Sequence, residues 1–343
     1  MTMQSLHFLA PGRFEWREVA TPRLADARHA IVRPLAVARC DLDLHIATGI
    51  VPFIGPFAFG HECVAEVVDA GDAAGVQPGQ RVVVPFQLSC GACGSCRRGF
   101  TGSCDTMPPL ANYGLATAGR TEFGGALADL MHVPHADHML VPLPAGLDPV
   151  KVASATDNIV DGWRGVAPQL AARPGASVLV VGGLAQSVGL YAAGAAVAQG
   201  AGRVLYLDDD ADRRARATAM GADAAPLALA EGRRPAELFD IVVEAAGTPD
   251  ALGFAIRSGA RNAVLTSVAI HLGRTTPVPL TEAYYKGLTL VTARADSRAH
   301  LPAVLDCLAC GRLHPEHVTH RVLGFAEAGE AMTDPGPKLV FVR

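Results

Sequence analysis

Lysine is nearly missing from this chain: of 29 lysine and arginine residues, only Lys151, Lys286 and Lys338 are lysine. Such a bias fits codon usage and says nothing about activity. A long uninterrupted apolar run is also lacking. The best candidate, "SVLVVGGLAQSVGLYAAGAAVA" (177–198), is broken by glycine and polar residues, so no membrane span is expected. The start, "MTMQSLHFLAPGRFEWREV", has no basic segment ahead of an apolar stretch, so no secretion signal is expected and a cytoplasmic location is. A net charge of −4 leaves no footprint for nucleic acid or an anionic membrane.

What is present is enough for two domains: 343 residues, half of them apolar and 18% charged. Four of the eight cysteines crowd into "CGACGSCRRGFTGSC" as C-x2-C-x2-C-x7-C, at Cys90, Cys93, Cys96 and Cys104. In a reducing compartment that pattern points to metal rather than to disulfides. Gly91, Gly94, Gly99 and Gly102 let the backbone wrap an ion. Four thiolates suit tetrahedral zinc with no open position, which holds a loop and performs no chemistry. A redox cluster or uncommitted thiols are the alternatives, and such crowding would then be an oxidation hazard.

Residues 1–150 are rich in proline and glycine, with short strand-like runs "FEWREV", "HAIVRPLAV", "CVAEVVDAG" and "QRVVVPF" separated by turn signals. From about 151 the texture changes. Strand-like "SVLVVG", "RVLYLD", "FDIVVEAAG" and "NAVLTSVAI" alternate with helix-like stretches, which predicts a parallel sheet covered on both faces. A helix over "LPAVLDCLACGRL" and a closing strand "KLVFVR" follow. The fold class is α/β.

A dinucleotide site is expected where the first parallel strand meets its helix. Gly182 permits the tight turn, Gly183 and Ser187 stand in for the missing middle glycine, and Gly189 lets helix and strand approach. The helix start attracts pyrophosphate. Asp208 ends the second strand, where an acid bonds ribose hydroxyls and repels a 2′-phosphate, favouring NAD over NADP; Arg213 follows nearby. Plain packing glycines and a solvated Asp208-Asp209-Asp210 loop are the bland alternatives.

Cys40 and His45 in "ARCDLDLHIATG", then "GHE" with His61 and Glu62, the four cysteines, "GGALADLMHVP", the nucleotide half and "EAAGTPDAL" form an ordered series. In that order they resemble the zinc-dependent medium-chain alcohol dehydrogenases, within the medium-chain dehydrogenase/reductase superfamily, from about residue 20 to 340. The resemblance implies a GroES-like catalytic domain (1–150) with a structural zinc lobe (about 88–106), a Rossmann doubly wound parallel sheet (151–288), and a segment (289–343) returning to the first domain. It implies Cys40 and His61 as catalytic-zinc ligands, with Glu62 as the adjacent acid that can approach or replace a ligand. "SATDNIVDGW" resembles the segment that supplies the third ligand, making Asp157 the candidate and Asp161 the alternative. Asp43 matches the acid that orients the zinc-bound imidazole. Two zinc ions and NAD are implied, with a small alcohol or carbonyl as substrate and hydride passing between carbinol carbon and nicotinamide. A homodimer or homotetramer is implied too, the run "NAVLTSVAI" being the strand expected to pair between subunits.

Three departures from that family stand out. Many relatives carry a hydroxyl residue two positions after the cysteine, where it begins a proton relay; here the position is Leu42, although His45 remains at the relay's outer end. Asp161 replaces the hydroxyl residue before Gly162, and the phosphate loop is longer. They leave room for a rival, a zinc enzyme with tightly held NAD catalysing a dismutase or lyase reaction without net redox change. A zinc-ribbon binding module would explain the four cysteines but not Cys40, "GHE" and the nucleotide half. Cys63, Cys307 and Cys310 are expected in packed positions, His135 and His138 at the surface, Arg97 and Arg98 as too few for a nucleic-acid patch. Phe53, Phe57 and Phe59 could serve either core or cleft.

Overall fold

The computed structural model describes residues 1–116, 122–227 and 235–343. The chain forms two compact units: 1–160 with 295–309 and 319–343, and 161–294 with 310–318. The first unit runs to Val160: the turn at Ala153–Thr156 packs on its strands, and the Asn158 amide donates to Glu62.

In the first unit the β-branched runs pair antiparallel. Strand Ala30–Ala38 is central: it bonds Glu62–Ala70 on one side and Leu339–Val342 on the other, with Met131–Val133 alongside. Arg81–Val84 and Val141–Pro142 extend this sheet beyond Glu62–Ala70. A second sheet joins Arg13–Ala20, Thr2–Ala10 and Phe57–Ala58. Between them lies an apolar core in which Phe8, Phe57 and Phe59 are fully enclosed and Phe14 packs edge-on to two of them. Phe57 and Phe59 are thus core residues; Phe53 is half-buried against Phe57. Aromatic burial of this size is a major source of sheet-to-sheet adhesion.

The closing strand has a positional consequence. Val340 pairs with Ala38 and Phe341 with Val37, so Lys338 is delivered beside Arg39 and Cys40 at the end of the central strand. Near that end the backbones also crowd. A Cβ on Gly114, whose φ is +62°, would meet the Gly60 carbonyl oxygen at 2.3 Å, so only glycine fits next to the turn that carries His61.

The second unit holds, among the described residues, six parallel strands in the order Asp223–Ala225, Arg203–Leu207, Ser177–Val181, Phe239–Glu244, Gly259–Ser267, Thr289–Thr292. Counted within the unit this is 3-2-1-4-5-6, the doubly wound Rossmann order. The run "NAVLTSVAI" is not a free edge: its strand, Gly259–Ser267, is bonded on both sides. A further short strand, Thr289–Thr292, covers it and becomes the edge; "TLVT" is too short to announce itself by periodicity. Among the described residues, no helix is long and apolar enough to cross a membrane.

Replacing Phe341 by alanine should cost about 3–5 kcal/mol, read as a lower denaturant midpoint for the first unit. An unchanged midpoint would mean that the returning strand contributes little to that core.

Candidate active site and metal centres

Cys40 follows the central strand and caps helix Asp41–Ala47. Its Sγ accepts from the Leu42 amide at 3.4 Å, and its own N–H donates to Asp43 Oδ2 at 3.0 Å, closing a capping box. Asp43 therefore has a local reason to be rigid, and its other oxygen faces His61 Nδ1 at 3.5 Å. This leaves His61 Nε2 pointing at Asp157 Oδ2, 3.2 Å away. Asp157 sits at the break between the 3-10 turn Ala153–Thr156 and helix Asn158–Arg164, with φ −147° and ψ −81°. One ligand-type atom from each of Cys40, His61 and Asp157 lies within 4.8 Å of the other two, and all three residues are buried. Asp161, the alternative, instead pairs with Arg164 at 2.5 Å in the second unit.

The electrostatics of this cluster call for a cation. Burial pushes the Cys40 thiol well above its ordinary range, and Asp157, Glu62 and Asp43 push it further. Burial also works against a charged His61, yet Asp43 and Asp157 outweigh it and hold the imidazole up at about 9. Burial opposes ionisation of Asp157 as well, but the bond with His61 keeps it below its usual value. Acidic groups buried this closely together are costly unless opposite charge shares the space. A thiolate, an imidazole and a carboxylate at these separations suit zinc with a fourth position left open.

Glu62 does not point loosely at this centre. Its Oε2 accepts from Ser154 Oγ at 2.9 Å and Lys338 Nζ at 3.0 Å, and its Oε1 accepts from the Asn158 amide at 3.1 Å. Burial raises it to about 7, with Lys338 opposing the rise. Ser154, Asn158 and Lys338 were not singled out from sequence. The one available signal was Lys338 itself, a lone lysine ahead of an apolar strand in a chain with three lysines. His45 is buried on the helix that Cys40 caps, and Leu42 lies in that helix's first turn.

The second cluster gathers Cys90, Cys93, Cys96 and Cys104, whose sulfurs also lie within 4.8 Å of one another, and no disulfide joins them. Backbone amides already point at sulfur: Ala92 and Cys93 at Cys90 (both 3.4 Å), Cys96 and Asp105 at Cys93 (3.4 and 3.3 Å). Ser95 ties the two ends of the lobe together through Asp105. Four thiols with amide donors aimed at them fit a closed zinc site. His138 is not a surface residue: it is half-buried behind this lobe, Nε2 3.0 Å from Ser89 Oγ, and burial lowers it to about 4. His135 is half-buried nearby. Cys63 and Cys307 are core residues, but Cys310 is exposed past the end of helix Ser297–Ala309, so it is not packed.

In the second unit the loop 182–185 joins strand Ser177–Val181 to helix Gln186–Ala198. A Cβ on Gly182 would meet Asp208 Oδ2 at 2.4 Å and the Tyr206 hydroxyl at 2.6 Å. A Cβ on Gly183 would meet Ala246 at 2.6 Å, and one on Gly189 would meet Ala245 at 3.2 Å. Ser187 is fully buried in the first helical turn. Asp208 is buried and already engaged: Arg213 grips it through two nitrogens at 2.6 and 2.8 Å, and Tyr206 donates at 2.7 Å.

Known proteins carry the same parts. Residues 26–145 match the family "Alcohol dehydrogenase GroES-like domain" and residues 187–309 match "Zinc-binding dehydrogenase". "Alcohol dehydrogenase TADH from Thermus sp. ATN1" is 31% identical, with TM-score 0.88 over 99% of both chains. "Probable zinc-binding alcohol dehydrogenase Rv1895" of Mycobacterium tuberculosis is 30% identical over 90% of this chain and 79% of its own. The chain belongs to the zinc-binding alcohol dehydrogenase family. "Zinc-type alcohol dehydrogenase B" of Aspergillus flavus is a further relative, 26% identical over 96% of this chain and 77% of its own. Membership places the chain among the medium-chain oxidoreductases, with the GroES-like and Rossmann-like parts that its two units display.

Changing Cys96 to serine should release about one zinc equivalent per chain and lower the thermal midpoint. Metal analysis of the purified variant checks this, and full zinc retention would remove the lobe from the metal sites.

Proposed function

We propose that this protein is a NAD-dependent zinc alcohol dehydrogenase, interconverting a small alcohol and its aldehyde or ketone. The observation that carries the reading is the convergence of Cys40, His61 and Asp157 in a cluster whose charge calls for a cation. When bound, zinc supplies the Lewis acidity that makes an alcohol hydroxyl acidic, and NAD supplies the hydride acceptor. The chain's own residues do the rest. Asp43 holds His61 with Nε2 toward the ion, and the Leu42 amide holds the Cys40 sulfur. Glu62, fixed by three donors, stays behind the ligands as a reserve carboxylate. Leu42 carries no proton, so the proton of the alcohol leaves by a route other than a hydroxyl at that position, and His45 stands at its outer end.

For coenzyme choice, Asp208 at the end of the second strand supports NAD. Its pairing with Arg213 holds that guanidinium away from a 2′-phosphate, and exposed Asp209 and Asp210 keep the surroundings negative. Gly182, Gly183, Ser187 and Gly189 form the pyrophosphate turn in this reading. A homo-oligomer is supported by the edge strand Thr289–Thr292 with exposed Leu290, and by Leu280, Tyr284 and Tyr285, which stand exposed on helix Leu280–Lys286.

A panel of alcohols and carbonyls followed by NADH absorbance tests the activity. Wild type should turn over with NAD, and Asp157→Asn should lose about 100-fold or more, since several kcal/mol of transition-state stabilisation go with the ion. No activity on the panel would overturn the reading. Turnover without added coenzyme, with NAD retained through gel filtration, would favour the dismutase or lyase alternative. Asp208→Ser frees Arg213 and should shift the NADP/NAD ratio of kcat/KM toward NADP by about tenfold or more, roughly the 1.4 kcal/mol of one new charge-assisted bond; an unmoved ratio would take Asp208 out of coenzyme selection.

A further inference from the structure

Asn158, next to Asp157 in "SATDNIVDGW", touches Cys40, Glu62, Asp157 and Lys338. Its side-chain oxygen accepts from Lys338 Nζ at 2.6 Å and from the Asp41 amide at 3.3 Å. Its side-chain nitrogen lies 3.2 Å from Cys40 Sγ and 3.3 Å from Asp157 Oδ2. The orientation of this amide follows from its neighbours. Lys338 already donates to the Arg39 carbonyl and to Glu62, and the Asp41 backbone can only donate, so both must face the amide oxygen. Turned over, the amide would set its N–H groups against two donors and its oxygen against a sulfur and a carboxylate.

We infer that Asn158 is a positioning residue that donates one side-chain hydrogen to the Cys40 sulfur and the other to the Asp157 carboxylate, with Lys338 holding it in that sense. One planar amide thereby spaces two ligands from distant parts of the chain and stabilises negative charge on both. A hydrogen bond to a metal-bound thiolate withdraws electron density from sulfur and so tempers how strongly Cys40 would donate to the ion, while the fixed spacing of Cys40 and Asp157 sets how long the ion would stay. Lys338 acts on the metal centre through this amide, and it reaches that place because the chain's last strand pairs beside Arg39.

The inference rests on Cys40, His61 and Asp157 holding a metal, and the test separates the two claims. Zinc is replaced by cobalt(II) in wild type, Asn158→Leu and Lys338→Met, and the sulfur-to-cobalt charge-transfer absorption is compared. The four-cysteine lobe contributes the same background to all three, so the difference spectrum reports Cys40. Loss of the N–H donor should move the Cys40 band to longer wavelength in Asn158→Leu, and in the same direction in Lys338→Met. Chelator-driven loss of that one ion should quicken by about 10- to 100-fold, the usual range for partners of metal ligands, while the lobe's ion is retained. An unmoved band with both ions bound overturns the inference, even if the melting temperature falls. A spectrum that Cys40→Ser does not change, with only the lobe loaded, overturns the metal reading itself. Should neither variant fold, cobalt-loaded wild type labelled with 15N-asparagine decides: two solvent-exchangeable, paramagnetically shifted side-chain amide protons are expected, and their absence sinks the proposal.

Discussion

Four acidic groups, Cys40, Asp43, Glu62 and Asp157, are buried together at one end of the central strand of the first unit. Desolvation of that much potential negative charge is the constraint around which the neighbourhood is organised. Several nearby donors are turned toward it. The amides of Cys40 and Leu42 serve the capping box, Ser154 and the Asn158 amide serve Glu62, and Lys338 supplies a fully buried ammonium. Donors alone leave the Cys40 thiol hard to ionise. A cation shared by Cys40, His61 and Asp157 would relieve that difficulty.

This arrangement gives a role to the chain's return to its first unit after the parallel sheet of the second. The strand Leu339–Val342 closes a sheet and adds apolar burial, but its position also places Lys338 against the Arg39 carbonyl, Glu62 and Asn158. Arg39 works from the opposite side: its guanidinium bonds the carbonyls of Met332, Asp334 and Gly336 and so ties the returning segment to the residue next to Cys40. Packing and charge compensation come from the same stretch of chain. A truncation here would remove both.

The nucleotide half shows a comparable economy. Tyr206 lies under Gly182, where any side chain would collide with its hydroxyl or with Asp208. Glycine at 182 therefore answers to a buried Tyr206–Asp208–Arg213 cluster. The acid at the strand end was readable from the alternation of strands and helices; its engagement by Arg213 was not, because four residues of turn and helix intervene and only folding brings the two together.

Much of the plan lay open in the primary structure. Apolar alternation and doubly buried runs located many strands of both units, and the crowding of Cys90, Cys93, Cys96 and Cys104 announced a four-sulfur cluster, because both signals are local and survive without the fold. Cys40, "GHE" and "SATDNIVDGW" could be nominated as one centre only by resemblance, since nothing local relates residues so widely separated along the chain. Tertiary structure alone separated Asp157 from Asp161: a break in helical geometry turns the first toward His61, while the second pairs with Arg164. It alone moved the sheet edge to Thr289–Thr292 and brought Asn158 and Lys338 into the cluster. Hydrogen-bond partners and free edges are properties of neighbours in space, and a one-dimensional pattern records neighbours along the chain.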